Sequence, residues 1–133
     1  MAHALTMRVY YEDTDAAGIV YHASYLRFAE RGRTEFLRDL GFDHGSLAEV
    51  HGVLFAVARC TIEFLQPARL DDLLLVRTNV CALTGARIEM AQLVERRETA
   101  IARLAVTLAV LDPRSLRPTR LPAPLRAAFA IQG

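Results

Sequence analysis

Two periodicities divide the chain. From Ser24 to Gly41, Tyr25, Phe28, Ala29, Gly32, Phe36 and Leu40 recur at spacings of three or four. Leu26 and Leu37 widen the stripe, while Arg27, Glu30, Arg31, Arg38 and Asp39 fill the rest. That is the spacing of an amphipathic helix, roughly 25 Å long at about 1.5 Å per residue. Ser24 is placed to cap its start, and Gly41 to close it in a left-handed conformation. Gly32 sits in its middle, where glycine costs about 1 kcal/mol relative to alanine. A helix keeps such a residue most easily where a sheet packs very close to it.

After Val53 the period shortens. Phe55 to Leu65, Leu73 to Leu83, Ala86 to Arg96 and Ile101 to Leu111 read as strands. They are broken at Gln66-Pro67, Thr84-Gly85 and Glu98-Thr99-Ala100, the last two of hairpin length. Met7 to Tyr11 reads as a further short strand before the helix. Phe42 to Gly52 reads as a loop or short irregular helix with solvated His44 and His51. The tail from Asp112 carries Pro113, Pro118, Pro122 and Pro124, then a short apolar patch through Leu125 and Phe129. One long helix and an antiparallel meander make an α+β layout, the helix covering one face of the sheet. The 133 residues suit a single domain, 1–133, with no internal repeat.

Composition narrows the classes. With 53% hydrophobic and 23% charged residues the chain is globular, and its net charge of +1 gives no field to attract nucleic acid. All 16 basic residues are arginine, which codon bias explains. Cys60 and Cys81 form no CxxC pair and no metal-ligand spacing, and are expected to be small buried apolar residues of a reducing compartment. The N-terminal residues lack the features of a signal peptide, and the longest apolar run, Leu104 to Leu111, is too short to span a membrane. A cytoplasmic location is expected.

The candidate chemistry lies between Tyr10 and Tyr25. An apparent strand turns through Glu12, Asp13, Thr14, Asp15 and Gly18 and enters the long helix past His22. Unpaired N–H groups at a helix start, beside a carboxylate, suit hydrolysis of an acyl group, because the donors stabilise its developing oxyanion. Asp15 can attack a carbonyl or deprotonate water. It can equally cap the turn through an Asx hydrogen bond, as most turn aspartates do. Asp13 is placed to hold the turn or orient Asp15, and Gly18 to permit the turn's geometry.

The run Tyr-Glu-Asp-Thr-Asp-Ala-Ala-Gly-Ile-Val-Tyr-His-Ala-Ser-Tyr-Leu, from Tyr11 to Leu26, resembles the signature of hot-dog-fold acyl-CoA thioesterases. These belong to the 4-hydroxybenzoyl-CoA thioesterase superfamily, and the likeness is to its YbgC-type, Tol-Pal-associated branch. Arg27 to Gly41, the turn from Gln66 to Asp72 and the Asp112-Pro113 tail share it. The resemblance implies a hot-dog fold, an antiparallel sheet wrapped around one long central helix. It implies homodimers or homotetramers joined edge to edge, with active sites at subunit interfaces. It makes Asp15 the catalytic carboxylate and the His22 backbone N–H the donor to the thioester oxygen, the His22 imidazole either positioning water or Asp15 or assisting the leaving thiolate, or else only filling the turn, with Gly18 and Tyr25 close to substrate. Gly85 and Arg87, at a strand break, are expected at the nucleotide end of coenzyme A, with Arg59 and the tail arginines Arg114, Arg117 and Arg120 as weaker candidates. The substrate is an acyl-CoA, or an acyl carrier protein thioester, and no metal or redox cofactor is implied. A hot-dog hydratase or dehydratase built on Asp15 and His22, and a non-catalytic acyl-CoA or carrier-protein binding module, are the alternatives.

Overall fold

The computed structural model describes residues 3–132. Five strands form one antiparallel sheet: β1 (His3–Arg8), β2 (Leu54–Phe64), β3 (Leu73–Thr84), β4 (Arg87–Arg96) and β5 (Thr99–Leu111), in spatial order β1-β3-β4-β5-β2. Helix α1 (Ser24–Asp39) lies on the inner face, joined by α2 (His44–Glu49) and the C-terminal α3 (Ala123–Gln132). The fold is α+β and matches the hot-dog arrangement expected.

The sheet alternates as its sequence dictates. On β4, Ile88, Met90, Gln92 and Val94 point inward and are buried, and β5 adds Leu104, Val106, Leu108 and Val110. Helix α1 meets this layer with Tyr25, Phe28, Ala29, Gly32, Phe36 and Leu37. It packs on β1, β3 and β4. The inner margin of the edge strand β2 is left partly bare, with Val57 and Phe64 51% and 52% exposed.

Gly32 is where helix and sheet touch. A Cβ there would stand 2.8 Å from Val76 Cγ1 and 3.2 Å from both Gln92 Nε2 and Thr78 Oγ1. The same contact carries a buried polar network. Gln92 Nε2 donates to the Ala29 carbonyl at 2.8 Å and to Thr78 Oγ1 at 3.0 Å, and its Oε1 accepts from Arg33 at 2.9 Å. Such a network ties the helix to one register on the sheet, because any slip leaves buried polar groups unpaired. Gly41, at φ +93°, ends the helix as expected, its N–H bonding to the Arg38 carbonyl.

Several sequence expectations need correction. Strand β1 runs from His3 to Arg8 and not from Met7 to Tyr11; Tyr11–Asp13 is a single 3-10 turn. His3, Leu5 and Met7 face inward while Ala4, Thr6 and Arg8 face solvent, an alternation that the short apolar run at Met7 obscures. Ser24 is not the N-cap. Ala23 precedes the helix without a side-chain cap, and the buried Ser24 hydroxyl donates instead to the Asp13 carbonyl at 3.1 Å. The tail patch at Leu125 and Phe129 belongs to α3, which stacks Phe129 on Phe36 at 5.9 Å between ring centres.

Neither cysteine is buried. Cys60 lies on the uncovered margin of β2, and Cys81 is the extra residue of a β-bulge between Val80 and Ala82, pushed out of register. An apolar run in sequence identifies a strand without saying whether anything covers it.

Replacing Gly32 with Ala should raise helix propensity yet destabilise the protein by about 1–3 kcal/mol, because the new methyl overlaps Val76. Urea denaturation checks this. A variant as stable as the parent would mean that α1 can lift off the sheet freely.

Candidate active site

The chain between β1 and α1 is a miniature hairpin held from below by a buried carboxylate. Asp13 is 2% exposed. Its Oδ2 accepts the Tyr10 N–H at 2.9 Å, and its Oδ1 accepts from the Arg27 guanidinium at 3.2 Å. Its carbonyl accepts the Tyr21 N–H at 2.9 Å and the Ser24 hydroxyl. One residue thus ties the end of the strand, the return of the hairpin and the first turns of α1 together.

Above that clamp, Thr14 and Val20 pair across the hairpin. The Asp15 N–H donates to the Ile19 carbonyl at 2.9 Å, and the Gly18 N–H to the Asp15 carbonyl at 3.0 Å. Gly18 has φ +80°, and a Cβ there would meet nothing, so glycine is needed for the turn's backbone and not for space. Asp15 Oδ1 accepts the Ala17 N–H at 2.9 Å, an Asx turn that fixes the carboxylate while leaving it exposed. The alternative reading of Asp15 as a turn cap is therefore true of its geometry. It leaves the second carboxylate oxygen without a partner among the described residues.

The hairpin leans on a second turn. The Val20 N–H donates to the Ala68 carbonyl at 2.8 Å, Ile19 bridges Arg69, and the Ala68 N–H donates to the Tyr25 hydroxyl at 3.3 Å. Burial pushes the Tyr25 phenol above its ordinary value, the Ala68 hydrogen bond opposing, which keeps it neutral. Asp72 stabilises this second turn by accepting the Arg69 N–H at 2.8 Å and Arg96 at 2.6 Å. Burial pushes the Asp72 carboxyl up, but the Arg69 and Arg96 hydrogen bonds outweigh it and hold it below the usual carboxylate range. That support is complete above the ordinary value of about 3.9 and is lost as pH falls through the lowered folded value.

Asp15, Ile19, Val20, His22, Tyr25 and Phe64 line a cleft of 360 Å³ that continues over Leu65, Gln66 and Pro67. The Phe64 ring lies 6.3 Å from His22 and 5.8 Å from Tyr25, and the His22 ring 4.5 Å from Tyr21. Among the described residues the His22 N–H, two residues before α1, meets no acceptor. The cleft thus brings the Asp15 carboxylate and His22 to one largely apolar opening.

Of the residues singled out from sequence, Asp15, His22 and Tyr25 come together here, while Gly18 shapes the turn without lining the cleft. Gly85 and Arg87 do not join them within one chain. Phe64 pairs with Ala102, and Ala102 with Val94, seven residues along β4 from Arg87, which is roughly 24 Å. Arg87 lies instead with the tail. The Gly85 carbonyl accepts the Leu121 N–H at 3.0 Å, so exposed Arg114, Arg117 and Arg120 share that end of the sheet. Phe64 is the site residue that the sequence reading misses. Its signal was an aromatic residue at the end of an edge strand, directly before the Gln66-Pro67 turn.

Comparison with known proteins agrees with the geometry. A family model described as the thioesterase-like superfamily matches residues 9–129. The acyl-CoA thioesterase YbgC of Haemophilus influenzae is 43% identical over 92% of this chain and 90% of its own. The acyl-CoA thioester hydrolase YbgC of Escherichia coli is 42% identical, with 92% of each chain covered. The crystal structure of a probable thioesterase from Bartonella henselae superposes with a TM-score of 0.88 at 42% identity, covering 92% of this chain and 100% of that one.

The two aspartates should separate in a stability measurement. Asp13→Ala removes acceptors from a buried site and should cost about 1–3 kcal/mol in urea denaturation. Asp15→Asn alters an exposed side chain that keeps its Asx bond and should cost less than about 0.5 kcal/mol. Equal losses would mean that Asp15, too, holds the fold.

Proposed function

The chain belongs to the thioesterase-like superfamily, and on that premise we propose that it hydrolyses acyl-coenzyme A thioesters, with Asp15 as base or nucleophile and the His22 backbone N–H as oxyanion donor. The observation that carries this reading is the single cleft shared by the Asp15 carboxylate, His22 and the apolar walls of Ile19, Tyr25 and Phe64. Water deprotonated by Asp15, or the carboxylate itself, adds to the thioester carbonyl. The resulting oxyanion accepts from the His22 N–H, a contact worth about 3 kcal/mol at the barrier. Collapse breaks the carbon–sulfur bond and expels the coenzyme A thiolate, which leaves without a proton. By the nucleophilic route the acyl group then rests on Asp15 as a mixed anhydride, and water releases it as the carboxylic acid. The His22 ring, packed between Tyr21 and Phe64, serves in this reading as a wall of the cleft.

A second copy completes the site. β2 has eleven residues, a free edge and bare apolar side chains at Val57 and Phe64, a combination that soluble proteins cover. Antiparallel pairing of β2 with its symmetry mate sets the Leu54 end of one strand beside the Phe64 end of the other. The Arg87 end of one chain, which lies level with Ala56 and Ala109, then approaches the Asp15 cleft of its neighbour. Arg87 and the tail arginines there meet the phosphates of coenzyme A. Acyl carrier protein thioesters present the same pantetheine arm and are the alternative substrate. The reading also puts the protein in the cytoplasm, where acyl-CoA and exposed thiols such as Cys60 and Cys81 coexist.

Release of free thiol from a panel of acyl-CoAs tests the function. Asp15→Asn should bind acyl-CoA as well as the parent, or tighter, and lower kcat by roughly 10²–10⁴, the range of general-base catalysis. A folded variant that keeps more than about a tenth of kcat would leave Asp15 a turn residue only.

A further inference from the structure

The turn that joins β2 to β3 supplies one wall of the Asp15 cleft, through Gln66 and Pro67. Backbone hydrogen bonds fasten its two ends to the sheet. The Leu65 and Gln66 N–H groups donate to the Ile101 carbonyl at 2.9 and 3.2 Å. The Val9 N–H donates to the Asp72 carbonyl at 2.9 Å, and the Asp71 N–H to the Val9 carbonyl at 3.0 Å. The middle of the turn spends its backbone on the catalytic hairpin and on α1. The Ala68 carbonyl takes the Val20 N–H, the Ala68 N–H goes to the Tyr25 hydroxyl, and Arg69 bridges Ile19. Pro67 has no N–H to give.

Among the described residues, one side chain from the sheet hydrogen-bonds that middle part. Arg96 is the last residue of β4, and its Nη1 donates to the Pro67 carbonyl at 3.2 Å and to Asp72 Oδ2 at 2.6 Å. The same Asp72 oxygen accepts the Arg69 N–H at 2.8 Å. The Arg96 and Asp72 side chains are 28% and 23% exposed, so water screens this pair less than it screens an ordinary surface pair. Neither residue lines the Asp15 cleft; both line a separate groove with Arg8 and Leu73. Tyr25, whose pKa burial raises most, senses both charges from inside the cleft, Arg96 lowering it and Asp72 raising it.

We propose that Arg96 is a positioning residue for thioester hydrolysis, setting the place of the Asp15 carboxylate through the turn at Ala68. The assignment rests on the thioesterase reading and adds a residue to its site. Arg96 fixes the Pro67 carbonyl and Asp72, and these fix Ala68 and Arg69. Ala68 and Arg69 in turn fix Val20 and Ile19, and the Ile19 carbonyl receives the Asp15 N–H at 2.9 Å. Asp13 anchors only the root of the hairpin. Among the described residues, the tip from Asp15 to Ile19 has no hydrogen bond to the rest of the protein except through this turn. A reacting group displaced by about 1 Å loses up to about 100-fold in rate, so support at a distance matters. A mere fastener between β4 and the turn would lower stability and leave the rate of the folded protein alone.

The test measures kcat and KM by thiol release, on the acyl-CoA that the unmodified protein turns over fastest, with urea denaturation showing that each variant is folded. Arg96→Met should lower kcat by about 10- to 100-fold while KM changes by less than about threefold. Arg96→Lys, which keeps the charge but not the fork, should retain part of the rate. Asp72→Asn still accepts the Arg69 N–H but loses its charge toward Arg96, and should lose kcat in the same way. The decisive comparison is made in Asp15→Asn protein, whose residual turnover no longer uses the carboxylate. Adding Arg96→Met there should lower kcat by less than about twofold. An equal loss with and without the Asp15 carboxylate overturns the assignment. So does a folded Arg96→Met protein with the parental kcat, whether or not its KM rises. If Arg96→Met does not fold, Asp72→Asn carries both comparisons, and a parental kcat there overturns the assignment. Failure of the unmodified protein to release thiol from any acyl-CoA overturns the thioesterase reading, and this assignment with it.

Discussion

The buried Asp13 carboxylate is the constraint on which the site depends. A charge 2% exposed is tolerated only when its acceptor capacity is used, and here Tyr10 and Arg27 use it. Because those partners come from the strand end and from α1, satisfying the charge also fixes where strand and helix stand relative to each other. The Asp13 carbonyl extends the clamp to Tyr21 and Ser24. Asp15 and His22 are then held as parts of a loop whose two ends cannot move apart. This is the support that a catalytic constellation needs if its geometry is to be set before substrate arrives.

The sheet supplies an asymmetry that the loop alone does not. Helix α1 covers β1, β3 and β4 and leaves the inner margin of β2 open, directly beside the cleft. The opening follows from the Gly32 contact: a helix pinned over Val76 and Gln92 cannot also lie over the far edge strand. The close packing that locks α1 in place is thus what leaves the margin beside Tyr25 and Phe64 open. The same bare margin makes β2 the edge through which a second copy is proposed to join.

Local chemistry made much of this legible from sequence. The helix from Ser24, its glycine contact and its left-handed end at Gly41 follow from periodicity and from what glycine costs. The motif from Tyr11 to Leu26 marked Asp15 and His22, which the fold brings to one cleft. What remained hidden depended on partners distant in sequence. Ser24 looked like a cap because the carbonyl it serves, that of Asp13, lies outside the helix pattern. Cys60, Cys81 and Phe64 looked like core residues or strand ends because exposure on an edge or a bulge is a property of the sheet. Nothing in the neighbours of Arg33 shows that Gln92, 59 residues away, would draw it under the sheet. The separation of Arg87 from Asp15 became visible only with the strand register.

The central claim is that Asp15 of one chain and Arg87 of another build one hydrolytic site, and subunit complementation tests it most directly. Asp15→Asn and Arg87→Ala proteins are to be mixed, unfolded, refolded together and assayed for thiol release at acyl-CoA concentrations below the KM of the Arg87→Ala parent. In a symmetric dimer of this kind each mixed pair carries one site with both native residues, so about a quarter of all sites are restored. Activity should rise to about a quarter of the unmodified protein's, well above the average of the two parents. Activity no greater than that average would contradict the account and place both residues in the same chain's site, or Arg87 in none.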